Sequence, residues 1–142
     1  MKIVKKKHIG VYGIIIKDKK IALIKKARGG YKGKLDLPGG GMEHGESPIE
    51  TLKRELMEEA GILVKEVSLE QVATVTFKWQ MEKDVIEDLH HIGILYEIKN
   101  FKNELKSEPD YIDSLGADWY LINELSEEDV TPFVKVALSK LK

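Results

Sequence analysis

Residues 47–62 of this 142-residue chain read Ser-Pro-Ile-Glu-Thr-Leu-Lys-Arg-Glu-Leu-Met-Glu-Glu-Ala-Gly-Ile, and they constrain the fold more than any other stretch. Ser47 can cap a helix, Pro48 suits its first position, and Glu50 can close a capping box. Gly61 is the natural stop. The spacing predicts a helix of about 13 residues, roughly 20 Å long. At about 100° per residue, Ile49, Leu52, Leu56 and Ala60 form a stripe to be buried, with Glu55 and Glu59 at its border. Glu55, Glu58 and Glu59 fall at i, i+3 and i+4 and share one face.

These charges are arranged badly for stability. Glu58 and Glu59 sit in the last turn, where the backbone carbonyls already make the helix end negative. Glu55 and Glu59 form a like-charge pair one turn apart, and their position beside the stripe adds partial desolvation. Only Glu58 has a basic residue one turn earlier, Arg54, which helical geometry points away from the other two acids. A bound hard cation would relieve the repulsion, whereas a solvated acidic helix would leave it standing.

The wider pattern is Gly40, five residues, Glu46, seven residues, then Arg54-Glu55-apolar-x-Glu58-Glu59-x-Gly61-apolar. It resembles the Nudix box at every defined position, and Leu35-Asp36-Leu37-Pro38-Gly39-Gly40 extends the likeness upstream. The resemblance implies a MutT-like Nudix hydrolase, which cleaves a nucleoside diphosphate linked to another group and uses Mg²⁺ or Mn²⁺. It also implies an α/β/α sandwich with a mixed sheet and a central catalytic helix. By the same resemblance the carbonyl of Gly39 ligates metal beside Glu55, Glu58 and Glu59. All-oxygen donors suit both cations, with water and substrate phosphate completing the coordination.

Glu55 is the first choice of base for the attacking water and Glu58 the second; Arg54 is expected to fix the loop and the glutamates by pairing with Glu46 or Glu58. Asp113, in Asp113-Ser-Leu-Gly-Ala-Asp-Trp119, resembles the acidic residue before the last strand of MutT-type members and is a candidate fourth carboxylate. Glu82, Asp84, Glu87 and Asp88 are alternatives that a solvated hairpin tip also explains. Gly39, Gly40 and Gly41 let the backbone approach closely. Lys26 lies where MutT-type enzymes place a phosphate contact, with Arg28 nearby; Trp79, Tyr31 and Phe77 could stack on a base or pack in the core. His90 and His91 are adjacent in a strand and point to opposite faces, which argues against a paired zinc site.

Around the helix the pattern predicts strands over 8–16, 20–26, 35–37, 73–80, 89–98 and 116–122. Thr131-Pro132 opens a terminal helix with Phe133, Val134, Ala137, Leu138 and Leu141 on one face. No linker or repeat interrupts this order, so residues 1–142 read as a single domain of mixed α/β class. Charge is balanced, with 23 basic and 24 acidic residues, and gives no global field to recruit nucleic acid or membrane. The absence of cysteine excludes disulfides, zinc thiolates and a thiol nucleophile. With no signal-peptide core and no apolar run of membrane length, a cytoplasmic chain is the expectation. Exposed strand edges would allow a homodimer.

The expected substrate is a nucleoside triphosphate, cut to monophosphate and pyrophosphate. No proline lies between Pro48 and Pro109, against the pattern of ADP-ribose hydrolases of this family. Trp79 stands where dinucleoside-polyphosphate hydrolases tend to carry tyrosine, and Arg28 is the only arginine before the box, unlike coenzyme A hydrolases. Val130 replaces a base-reading amide, which leaves broad base tolerance as the expectation. Hydrolysis of ADP-ribose or a nucleoside-diphosphate sugar is the nearest alternative. A non-catalytic nucleotide sensor is a reading of another class, and the intact set of box acids speaks against it.

Overall fold

The computed structural model describes residues 1–109 and 114–141. Strands β1 (Lys2–Ile14), β2 (Ile16–Lys17), β3 (Lys20–Lys26), β4 (Leu35–Asp36) and β5 (Gly39–Gly41) precede helix α1 (Pro48–Ala60). A long hairpin follows, β6 (Leu63–Glu82) and β7 (Val85–Lys102), then β8 (Ser114–Leu121) and helix α2 (Pro132–Leu141). One sheet has the order β5-β1-β7-β6, with β1 and β7 parallel and the other pairs antiparallel. In the second sheet β3 pairs antiparallel with β2 and β4, and also with β8.

The second half of β1, the body of β3 and the later part of β7 are buried on both faces because they feed two cores. Val11, Ala22, Ile24, Tyr96 and Ile98 pack with Leu52, Leu56 and Ala60 of α1. The alternate positions Tyr12, Ile21, Leu23 and Leu95 pack with Phe133, Val134, Ala137 and Leu138 of α2. A mixed sheet system held between two helices is the α/β/α sandwich expected from the sequence.

Helix α1 keeps its predicted bounds and α2 its predicted start, but each exposes an apolar residue of the predicted stripe at one end. Ile49 is 41 % exposed, and the buried residue of the first turn of α1 is Thr51, whose Oγ1 donates to Glu46 Oε1 at 2.9 Å. Leu141, in the last turn of α2, is likewise exposed. The larger difference lies in the hairpin. The acidic stretch from Glu82 to Asp88 is not a broad turn: the chain reverses at Lys83 and Asp84, and Val85 to Asp88 are already strand. Asp84 takes a left-handed φ of 63° within this reversal. The extra strand length pairs β1 from Lys2 onward with β7. Among the described residues no helix is long and apolar enough to cross a membrane.

Candidate active site

The local rules of helix initiation place the acids. Ser47 Oγ accepts the Glu50 N–H at 3.2 Å, and Glu50 Oε1 accepts the Ser47 N–H at 3.0 Å, completing the capping box. At the far end the Gly61 N–H donates to the Leu56 and Met57 carbonyls. Among the described residues α1 has no basic side chain in its last turn to offset Glu58 and Glu59.

Arg54 gathers the loop and two of the glutamates. Its Nε donates to Glu46 Oε2 at 2.7 Å and its Nη2 to Glu46 Oε1 at 2.9 Å, a two-pronged pair. Nη1 donates to Glu55 Oε1 at 2.9 Å and, more weakly, to Glu58 Oε2 at 3.4 Å. Nη2 also reaches the Gly41 carbonyl at 3.2 Å. The pairings with Glu46 and Glu58 are those expected. The contact with Glu55 is a correction, because the long side chain curls back along the helix where the Cα direction alone points away. The Arg54 guanidinium, with the Glu43 N–H, holds the Glu46 carboxyl down at about 2.

Glu59 takes the opposite course and turns inward. It is 8 % exposed, and its Oε1 accepts the Gly39 N–H at 2.8 Å. Burial pushes its carboxyl up to about 8; the Gly39 hydrogen bond and Lys26 oppose the rise, and Glu55 and Asp36 add to it. Gly39 itself has φ 149°, and a Cβ there would collide with the Val11 carbonyl, so only glycine fits. At Gly40 the constraint is the acid: an added Cβ would lie 2.6 Å from the Glu55 carboxyl carbon. Glu55 and Glu59 therefore both bear on the backbone of β5.

This arrangement suits a hard divalent cation in its chemistry. The donors are carboxylates and peptide carbonyls, and one carboxylate is buried with raised proton affinity, the state a cation would reverse. The two glycines leave room that any side chain would fill. Among the described residues no group of three or more acidic or histidine side chains converges closely enough to hold a metal. The reason is visible in the contacts, since Arg54 draws Glu55 and Glu58 to itself while Glu59 faces Gly39. Asp113 lies outside the described residues.

Beside this centre opens a cleft of about 570 Å³ that brings together Lys26, Arg28, Tyr31 and Trp79. Its lining includes Tyr12 and Asp36, and both Lys26 and Asp36 act electrostatically on Glu59, which ties the cleft to the acids. Phe77 stands behind Tyr31, the rings stacked at 5.1 Å and 26°. Gly41 lies apart, in a shallow surface groove with His8 and Met42.

Several groups in the cleft escape a sequence reading. His91, 5 % exposed, pairs its Nε2 with the Tyr12 hydroxyl at 2.8 Å, and burial lowers its pKa to about 4. His90, on the other face, contacts Thr74, so the two histidines diverge as expected. Asp36 is buried and accepts from Thr131 Oγ1 at 2.7 Å and from the Leu37 N–H at 2.8 Å, with burial raising its pKa. Glu87 is not a solvated tip residue: it is 8 % exposed, lines the cleft and accepts the Trp79 Nε1–H at 2.9 Å. The period-2 spacing of Glu87, Leu89 and His91 signals a shared face, but nothing local signals that this face turns to the cleft.

Residues 6–141 match the model of the NUDIX domain. The chain is 35 % identical over 117 residues to an ADP-ribose pyrophosphatase of Methanocaldococcus jannaschii, covering 82 % of this chain and 63 % of that protein. It thus spans less than two thirds of that relative. Among solved structures, a MutT NUDIX hydrolase from Burkholderia pseudomallei superposes with a TM-score of 0.78 at 25 % identity, over 96 % of this chain and 99 % of that one. The MutT protein from Methanosarcina mazei Go1 gives 0.69 at 22 % identity, over 96 % and 93 %, a likeness of fold.

Proposed function

The chain belongs to the NUDIX family, and on that premise we propose that it hydrolyses a diphosphate linkage in a nucleotide with Mg²⁺ or Mn²⁺. The observation that carries this reading is the buried Glu59, bonded to Gly39 and set against Glu55 at the β5 glycines. Glu55, Glu58, Glu59 and the Gly39 carbonyl would hold the cation, with Asp113 as a further carboxylate. When bound, a divalent cation neutralises phosphate charge and makes water a better nucleophile.

The remaining work falls to the side chains. Glu55 receives the proton of the attacking water, and Glu58 is the next candidate. Arg54 holds Glu46, Glu55 and the Gly41 carbonyl in place and so sets the loop against the helix. Lys26 and Arg28, in the cleft lining, take the phosphate charge; Trp79 and Tyr31 offer aromatic surface to the base. A new phosphorus–oxygen bond to water forms as the bond from that phosphorus to the bridging oxygen breaks, and the bridging oxygen leaves on the phosphate of the other product.

For the substrate we infer a nucleoside triphosphate, cut to monophosphate and pyrophosphate. The support is the match to a MutT hydrolase over nearly the whole chain, together with a cleft of nucleotide size lined in part by Lys6, Lys26 and Arg28. A second reading, ADP-ribose, has its own support in the archaeal ADP-ribose pyrophosphatase at 35 % identity. The test compares kcat/KM across the common nucleoside triphosphates, ADP-ribose and nucleoside-diphosphate sugars. Triphosphates should lead; a hundredfold preference for ADP-ribose would select the second reading and leave the chemistry unchanged.

A further inference from the structure

Two acidic side chains of the cleft have no part in the steps above: Asp36, whose carboxylate is taken up by Thr131 and the Leu37 N–H, and Glu87. Glu87 rises from β7 on the same face as Leu89 and His91. Its neighbours in the lining include Trp79, Met81 and Leu89 on one side and, across the β1 pairing, Lys6 and His8. The carboxylate is fixed: Oε1 accepts the Trp79 indole N–H at 2.9 Å, and the residue is 8 % exposed. Oε2 accepts no hydrogen bond from any described residue and belongs to a residue of the cleft wall. The cations of the cleft, Lys6, Lys26 and Arg28, suit phosphate. A carboxylate would repel phosphate and would instead accept from N–H donors.

We propose that Glu87 reads the base of the nucleotide and makes the cleft prefer guanine, an inference that rests on the nucleotide reading above. Guanine presents two adjacent donors on one edge, the ring N1–H and the exocyclic amino group, and a carboxylate is their complement. Adenine and cytosine set a ring acceptor beside their amino group, which a carboxylate repels. Uracil flanks its single N–H with two carbonyl oxygens. A rigid, nearly buried carboxylate also penalises the wrong base, since it is desolvated without gaining a partner. Glu87 thus supplies the polar reader that Val130 does not, and broad base tolerance gives way to selectivity.

Binding tests this without turnover. Trp79 forms part of the cleft wall, so intrinsic fluorescence can follow titration with guanosine 5′-monophosphate and inosine 5′-monophosphate, which differ only in the exocyclic amino group. The wild-type chain should bind the guanine nucleotide about tenfold or more tightly. Glu87→Gln keeps an acceptor for the Trp79 N–H, and its ratio should fall to near one. Equal affinity for the two nucleotides in the wild-type chain would overturn the proposal. So would a Glu87→Gln variant, folded by circular dichroism, that keeps the wild-type ratio. If the variant fails to fold, the wild-type comparison decides alone. Binding of neither nucleotide overturns this inference along with the substrate reading, whereas binding of both without discrimination overturns Glu87 alone.

Discussion

Glu59 and Gly39, twenty positions apart in the chain, are joined by a 2.8 Å hydrogen bond from the glycine N–H to the carboxylate Oε1. That bond turns the acidic face of α1 toward the β5 backbone and leaves one carboxylate buried among other acids. It organises the site, and it has a measurable consequence for stability.

The Glu59 carboxyl, raised by burial from 4.5 to about 8, keeps a proton in the folded state that the unfolded chain has lost. Its contribution to stability is therefore fully present below pH 4.5 and is lost as pH rises through about 8. In metal-free buffer the melting temperature of the wild-type chain should fall over that window, and Glu59→Gln should flatten the fall. The gap near pH 8 should amount to several degrees, since a domain of this size shifts about 2–4 °C per kcal/mol. Thermal unfolding followed by circular dichroism across pH is the check. Parallel curves for the two proteins would show that the carboxyl is not strained by its surroundings.

Arg54 and Glu50 offer a contrast between two helix residues of similar sequence prominence. Arg54→Lys loses the two-pronged grip on Glu46 and the contact with Glu55, so the glutamates shift while the fold persists. Displacement of this kind costs about a hundredfold in kcat. Glu50→Gln weakens only the capping box and should leave turnover within about twofold of wild type, with a slightly lower melting temperature. Steady-state kinetics of the two variants separate the roles, and equal damage from both would refute the division.

The helix and its acids were legible because their signals are local. Ser47, Pro48, Glu50 and Gly61 set the bounds of α1, and the spacing of Glu55, Glu58 and Glu59 follows from helical period alone. The cleft was only half legible. Lys26, Arg28 and Trp79 do meet there, but Glu87 and His91 join them through the parallel pairing of β1 with β7, in which His8 lies opposite His91. That register links residues more than eighty positions apart and has no local mark. Both β6 and β7 exceed their predicted spans, β6 for a related reason. Irregularities between Val64 and Glu66 and between Leu69 and Gln71 break the alternation on which a strand is recognised.

The central claim, that the α1 glutamates act through a divalent cation, is tested most directly by one measurement. Product release from the preferred nucleotide is followed while free Mg²⁺ is raised from a chelated baseline, in wild type and in Glu59→Gln. Wild-type activity should be absent in chelator and rise to saturation with Mg²⁺, and Glu59→Gln should remain lower by orders of magnitude at every concentration. Undiminished hydrolysis in metal-free buffer, or a Glu59→Gln curve that overlays the wild type, would contradict it.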